Sequence, residues 1–197
     1  SSMNSIAEAL GMSLTGGAII PAPYKERESI SFKTGRRIVE MVHEDLTPSK
    51  IMTKKAFENA IYVASAIGAS SNCPPHLTAI ARHMGIDFGI DNWEKLGHDI
   101  PLLVNCQPAG EHLMEGFFKA GGIQAIMQEL MNNHKLHKEL ITVTGKTVEE
   151  NLKEKIVVDK DIIKSFKNPL VKNAGFIVMK SNFFSSAVMK TSVISSE

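Results

Sequence analysis

The sequence predicts an α/β protein in which helices pack on a small, mostly parallel sheet, followed by the first strands of a β-rich second domain. Three observations predict it. Helical periodicity and capping signals dominate residues 1–154. Two short apolar runs of the buried-strand type, 100–105 and 140–143, alternate there with helices, the order of an α/β layer. From about Lys155 the chain turns to short runs of β-formers separated by polar turns such as Lys167-Asn168-Pro169. The expected division is an α/β domain over residues 1–157 and the beginning of a β-barrel-like domain over 158–197.

Each element has its own signal. Residues 2–10 form a helix that Gly11 closes, because glycine takes a left-handed conformation without strain. Residues 26–45 carry Ile38, Met41 and Val42 on one side of a second helix. Thr47 caps a restart with Pro48 at the tolerated first position. Residues 54–67 have an unusual texture, with Ala56, Ala60, Ala64 and Ala66 among Phe57, Ile61, Val63 and Ile67. So many small residues predict a helix packed closely on neighbours around most of its surface. After Gly68 and a polar loop, Pro74-Pro75 open a helix that stops at Gly85. Asp91 with Glu94 has capping-box spacing.

Residues 100–105 read as a strand covered on both faces. A helix over 112–120 precedes one whose Ile123, Ile126, Met127, Leu130 and Met131 make an amphipathic stripe. Residues 140–143 read as a second strand, and Thr147 with Glu150 repeats the capping-box spacing. Residues 156–158, 176–179 and 187–189 read as strands.

Composition excludes several functions. With 22 basic and 21 acidic side chains the formal net charge is +1, which argues against nucleic acid or an anionic membrane as a partner. No apolar run is long enough to span a bilayer. Two cysteines far apart, Cys73 and Cys106, suggest a reducing compartment, hence the cytoplasm. The segment at Ser1 opens directly into a helix, and the other end stops just after an apolar run that needs sheet partners. The expectation is an internal piece of a longer chain.

Few motifs carry chemistry. Thr144-Gly145-Lys146-Thr147 resembles the end of a phosphate-binding loop, but Leu140 stands where that motif needs glycine, so a capped helix start is the better reading. His134 and His137 lack a third ligand at useful spacing and read as solvated surface histidines. Cys73 and Cys106 have no base beside them and read as packing residues. The Ser70-Ser71-Asn72 loop offers hydroxyls, an amide and free N–H groups at a helix start; it either holds an anionic oxygen or simply caps the Pro74 helix. Lys190-Thr191-Ser192 either holds a carboxylate or is an exposed strand end.

Several stretches, in order, resemble the dihydroxy-acid and sugar-acid dehydratases. They are residues 2–12, residues 55–60, Asn72-Cys73-Pro74-Pro75-His76-Leu77, residues 101–105 with Gln107-Pro108-Ala109-Gly110, and residues 142–147. The stretch 175–192 is most similar to the aldonate branch, which dehydrates acids such as arabinonate, xylonate or galactonate. Dihydroxy-acid dehydratase of branched-chain amino-acid synthesis is the alternative, and a standalone non-catalytic partner or pseudo-enzyme is a third reading.

The resemblance implies elimination of water from a 2,3-dihydroxy acid to give a 2-keto-3-deoxy acid. It implies an iron–sulfur cluster, of 2Fe–2S or 4Fe–4S type, on three cysteines, with a magnesium ion and a serine base, in a homo-oligomer (dimer or tetramer). In that pattern the third cluster cysteine precedes Ser1, and the other ligands and the base lie outside this chain. No catalytic or metal-ligating residue and no cofactor are therefore expected within it. Ser2 and Asn4 are expected to border the site, with Ser71, Asn72, Lys190 and Thr191 as the other candidates for contact with a small-molecule sugar acid.

Overall fold

The computed structural model describes residues 1–154 and 158–193. Helices α1 (Ser2–Ala9), α2 (Glu26–His43), α3 (Pro48–Ile51), α4 (Lys54–Ala66), α5 (Cys73–His83) and α6 (Asp91–Gly97) come first. They are followed by α7 (Met114–Lys119), α8 (Gly122–Asn132) and α9 (Val148–Asn151), then strands β1 (Phe176–Met179) and β2 (Ala187–Lys190) and a 3₁₀ turn over Thr191–Val193.

The small residues of α4 do what their pattern predicts. Nine of its side chains are buried, from Ala56 to Ala66. Val63 and Ala66 join a core with α8 and the 100–106 segment, while Phe57, Ala60, Ile61 and Ala64 join another with α1, α5 and α6. Thr53 caps α4 by accepting from the Ala56 N–H. Asn59, fully buried, is satisfied by the backbone of one residue: its Nδ2 donates to the His137 carbonyl at 3.0 Å and its Oδ1 accepts the His137 N–H at 2.8 Å. The α8 stripe is buried at Ile123, Ile126, Met127 and Leu130, each removing roughly 1.5–3 kcal/mol of apolar exposure.

The fold is α/β, yet the mostly parallel sheet is absent among the described residues. The only sheet found there is an antiparallel pair, Phe176 opposite Lys190 and Met179 opposite Ala187. Residues 100–105 are buried on both faces as expected, but their hydrogen bonds go to several partners. The Leu102 N–H donates to Val171, Leu103 to Ala66 and Asn105 to Ile162. Leu102 and Val104 therefore form isolated antiparallel bridges to Val171 and Ile163. Residues 140–143 likewise form one bridge, Ile141 to Thr147. Ile156 and Val157 of the expected strand lie outside the described residues.

Other expectations shift for local reasons. Asp91 does not cap α6: its N-cap is Ile90, and the Glu94 Oε1 instead accepts the Val178 N–H at 3.3 Å, tying β1 to α6. The capping box of Thr147 and Glu150 forms in full. On α2 only Met41 is buried, and Ile38 and Val42 face solvent. His137 is more than a solvated surface group. Its Nε2 lies 2.7 Å from the Glu58 Oε2, a partner 79 residues away that sequence spacing cannot show.

Phe176 anchors the sheet to the helices. Its ring meets the buried Trp93 edge-on, with centroids 5.0 Å apart, and it is 1% exposed. Phe176→Ala is expected to destabilise the chain by ~3–5 kcal/mol, the range for truncating a buried aromatic, read as the shift in urea unfolding.

Glu8 supplies a pH signature. Its two carboxyl oxygens accept the Gly16 N–H at 2.8 Å and the Ala18 N–H at 2.9 Å, folding that loop across α1. Burial outweighs those two bonds and pushes the carboxyl up to about 7 from 4.5. Below about pH 4.5 both folded and unfolded states hold the proton; up to about 7 only the folded state does. Stability is therefore expected to fall as pH rises through that window, by up to ~3 kcal/mol. Urea titrations across the window check this, and Glu8→Gln should flatten the slope.

Candidate functional site

A cavity of about 400 Å³ opens where four distant segments meet the C-terminal end of α4. Ser1, Ser2 and Ser5 of α1 and its N-cap form one side. Gly68, Ser70 and Ser71 of the α4–α5 connection form the next. Cys106 and the turn Gln107, Pro108 and Ala109 lie opposite, with Met114 and Phe117 of α7 behind them. Lys190, the last residue of β2, completes the lining.

Gly68 makes this convergence possible. Its φ of +58° turns the chain out of α4, and a Cβ there would lie 3.0 Å from the Leu102 Cδ1 and 3.2 Å from the Ser192 Oγ. The turn therefore needs glycine both for its left-handed backbone and for the close approach of β2's end. The Ser70 N–H donates to the Ser2 Oγ at 3.0 Å, which pins the loop to α1. The Ser70 Oγ in turn accepts the Asn72 N–H at 3.2 Å, and its carbonyl accepts the Cys73 N–H. Ser70 thus caps the start of α5, while the Ser71 hydroxyl is left on the cavity.

The electrostatics rest on one group. Lys190 is the only charged side chain on the described lining, and it is half-buried. Burial pushes its ammonium below the usual lysine range, with the neighbouring Cys73 thiol acting weakly the other way. Burial likewise pushes Cys73 up to about 11 and raises Cys106. The Ser192 hydroxyl behind Gly68 is buried and has no hydrogen-bond partner among the described residues. The arrangement is a small polar cavity with an under-compensated cation, suited to an anionic oxygen.

The sequence-derived candidates divide. Ser2, Ser71 and Lys190 come together on this cavity. Asn4 and Asn72 are exposed and lie off its lining. Thr191 faces away, its Oγ1 donating to the Gly175 carbonyl at 2.6 Å to close the end of β2. Sequence reasoning passed over Ser5, Gly68 and the 107–109 turn as site residues. Only the Gln-Pro-Ala-Gly motif hinted at the turn; the others are brought in by tertiary packing.

The residues do not fit an iron–sulfur cluster or a magnesium ion. Among the described residues no three His, Cys, Asp or Glu side chains are grouped to hold a metal. Both thiols sit in surroundings that favour the protonated form, whereas a cluster takes thiolates. No helix of the described residues is long and apolar enough to cross a membrane.

Comparison with known proteins places this geometry. The chain is 50% identical to D-xylonate dehydratase of Caulobacter vibrioides over all 197 residues, which cover 33% of that protein. It is 45% identical to L-arabinonate dehydratase of Rhizobium leguminosarum bv. trifolii over 96% of the chain and 33% of the relative. It is 43% identical to dihydroxy-acid dehydratase of Acetivibrio thermocellus over the whole chain and 36% of the relative. The chain thus spans about a third of the length of the curated relatives it matches. Residues 1–151 match the family model described as dihydroxy-acid/6-phosphogluconate dehydratase, N-terminal, and the chain belongs to that family.

Proposed function

We propose that this chain is part of a cytoplasmic, homo-oligomeric hydro-lyase that dehydrates an aldonate, such as xylonate, arabinonate or galactonate, to a 2-keto-3-deoxy acid. In this reading the cavity holds the acid's carboxylate end. The observation that carries it is Lys190: a desolvated ammonium with no carboxylate on the described lining, beside the hydroxyls of Ser2 and Ser71. An anion placed there relieves the burial penalty of the lysine. The names of the 50% and 45% identical relatives support a sugar acid. The 43% identical relative supports the alternative, a branched 2,3-dihydroxy acid, which carries the same carboxylate and differs in its tail.

Dehydration removes the C2 hydrogen as a proton and the C3 hydroxyl as water, leaving an enol that tautomerises to the keto acid. Negative charge grows on the carboxylate as the C2 proton leaves, so a fixed ammonium there stabilises the transition state. The role of the present residues is to bind and orient the acid at that end. The iron–sulfur cluster, the magnesium ion and the proton-abstracting base belong in this proposal to the rest of the parent protein, and the 197-residue chain alone is inactive. Within the parent, residues 1–157 belong to the N-terminal domain and 158–197 begin the C-terminal one.

In the parent enzyme, Lys190→Met is expected to raise KM for its aldonate ~10–100-fold, the loss of a charged hydrogen bond, with Lys190→Arg recovering part of it. Turnover assays with xylonate, arabinonate, galactonate and 2,3-dihydroxyisovalerate check both variant and substrate. An unchanged KM for every acid in Lys190→Met contradicts the assignment.

A further inference from the structure

Helix α2 is held to the body along one side only. Arg37 donates through Nε to the Val143 carbonyl at 2.5 Å, and Met41 packs with Ile51 and Val143. The opposite side faces solvent and is apolar: Phe32 is 69% exposed, Val39 57% and Val42 73%, with Ile38 beside them at 55%. Glu28, Phe32, Gly35, Val39 and Val42 recur at alternating steps of four and three residues, the spacing of a seam that packs on another helix. A monomer turns such a stripe inward.

Gly35 lies at the centre of this stripe. A Cβ there would meet nothing within 4 Å, so no contact within the chain calls for glycine, and glycine inside a helix costs roughly 1 kcal/mol relative to alanine. A second helix approaching closely would call for it. A two-fold axis through Gly35 sets Phe32 against Ile38 of the other helix, an apolar pair formed twice. It also brings Glu28, at one end of the stripe, against Val42 and the adjacent His43 at the other end, so that an acidic group meets an imidazole at both ends. The antiparallel arrangement opposes the two helix dipoles as well.

We propose that the outward face of α2 is the contact between two copies of this chain, paired antiparallel about Gly35. An apolar face can also be covered by the remainder of a parent chain. The self-complementary order of the stripe favours a second copy, because an unrelated segment has no need of the same pattern read in both directions. This inference does not rest on the sugar-acid reading, and its test involves no activity.

The test is cysteine cross-linking. Cys73 and Cys106 are buried and do not compete. Gly35→Cys places a thiol on the dyad, and Asp87→Cys, an exposed position on the α5–α6 connection, reports random collision. Under mild oxidation Gly35→Cys is expected to form a disulfide-linked dimer at least ~10-fold faster than Asp87→Cys, from the effective concentration of a paired site. Light scattering is expected to give a dimer for the unmodified chain and a monomer for Val39→Asp, whose circular dichroism stays helical. Equal cross-linking rates, a monomeric unmodified chain, or a Val39→Asp dimer overturns the proposal.

Discussion

The structure depends on the close packing of α4. Its alanines let neighbouring elements approach it from both sides, so that one helix separates the two main hydrophobic clusters and belongs to both. A larger side chain at Ala60 or Ala64 would meet a filled core, where overpacking costs ~1–3 kcal/mol. Polar groups reinforce the same position: Asn59, fully buried, spends both ends of its amide on the backbone of residue 137. Because α4 is fixed on so much of its surface, its C-terminal end is a fixed point in the molecule.

The candidate site is built on that point. The Ala66 carbonyl accepts the Leu103 N–H at 2.8 Å, which brings the 100–106 segment alongside. Gly68 then turns the chain towards the serine loop and leaves room for Ser192. Lys190 reaches the cavity by a longer chain of contacts. It pairs with Phe176 across the sheet, and Phe176 stacks edge-on against Trp93 of α6. The placement of one ammonium thus depends on an aromatic contact on the other side of β1, and α6 in turn packs on α4. Packing of small residues, sheet register and the charge in the cavity form one sequence of dependence.

Much of the helical framework was legible in the sequence. The boundaries of α1, α4, α5, α8 and α9 follow from caps, glycines and 3.6-residue periodicity, which are local signals. What failed was non-local. An apolar run such as 100–105 reports burial on both faces, but not whether its hydrogen bonds go to one neighbouring strand or to three separate segments. Glu94 had the right spacing to cap its own helix, yet it serves Val178, 84 residues away. The exposed seam of α2 shows the same limit: its periodicity is helical, while the body covers only the side that carries Met41. In the site, Ser2, Ser71 and Lys190 came from motifs at chain positions that the fold brings together. Ser5, Gly68 and the 107–109 turn carry no chemistry of their own in sequence, and only the convergence of segments at the end of α4 makes them lining.

The central claim is that Lys190 holds the carboxylate of a sugar acid in this cavity. A crystal structure of the full-length protein with an aldonate bound tests it most directly. The account predicts the carboxylate within hydrogen-bond reach of the Lys190 Nζ, with the Ser71 hydroxyl beside it. An aldonate bound with its carboxylate elsewhere, and Lys190 turned to solvent or paired with a protein carboxylate, would contradict it.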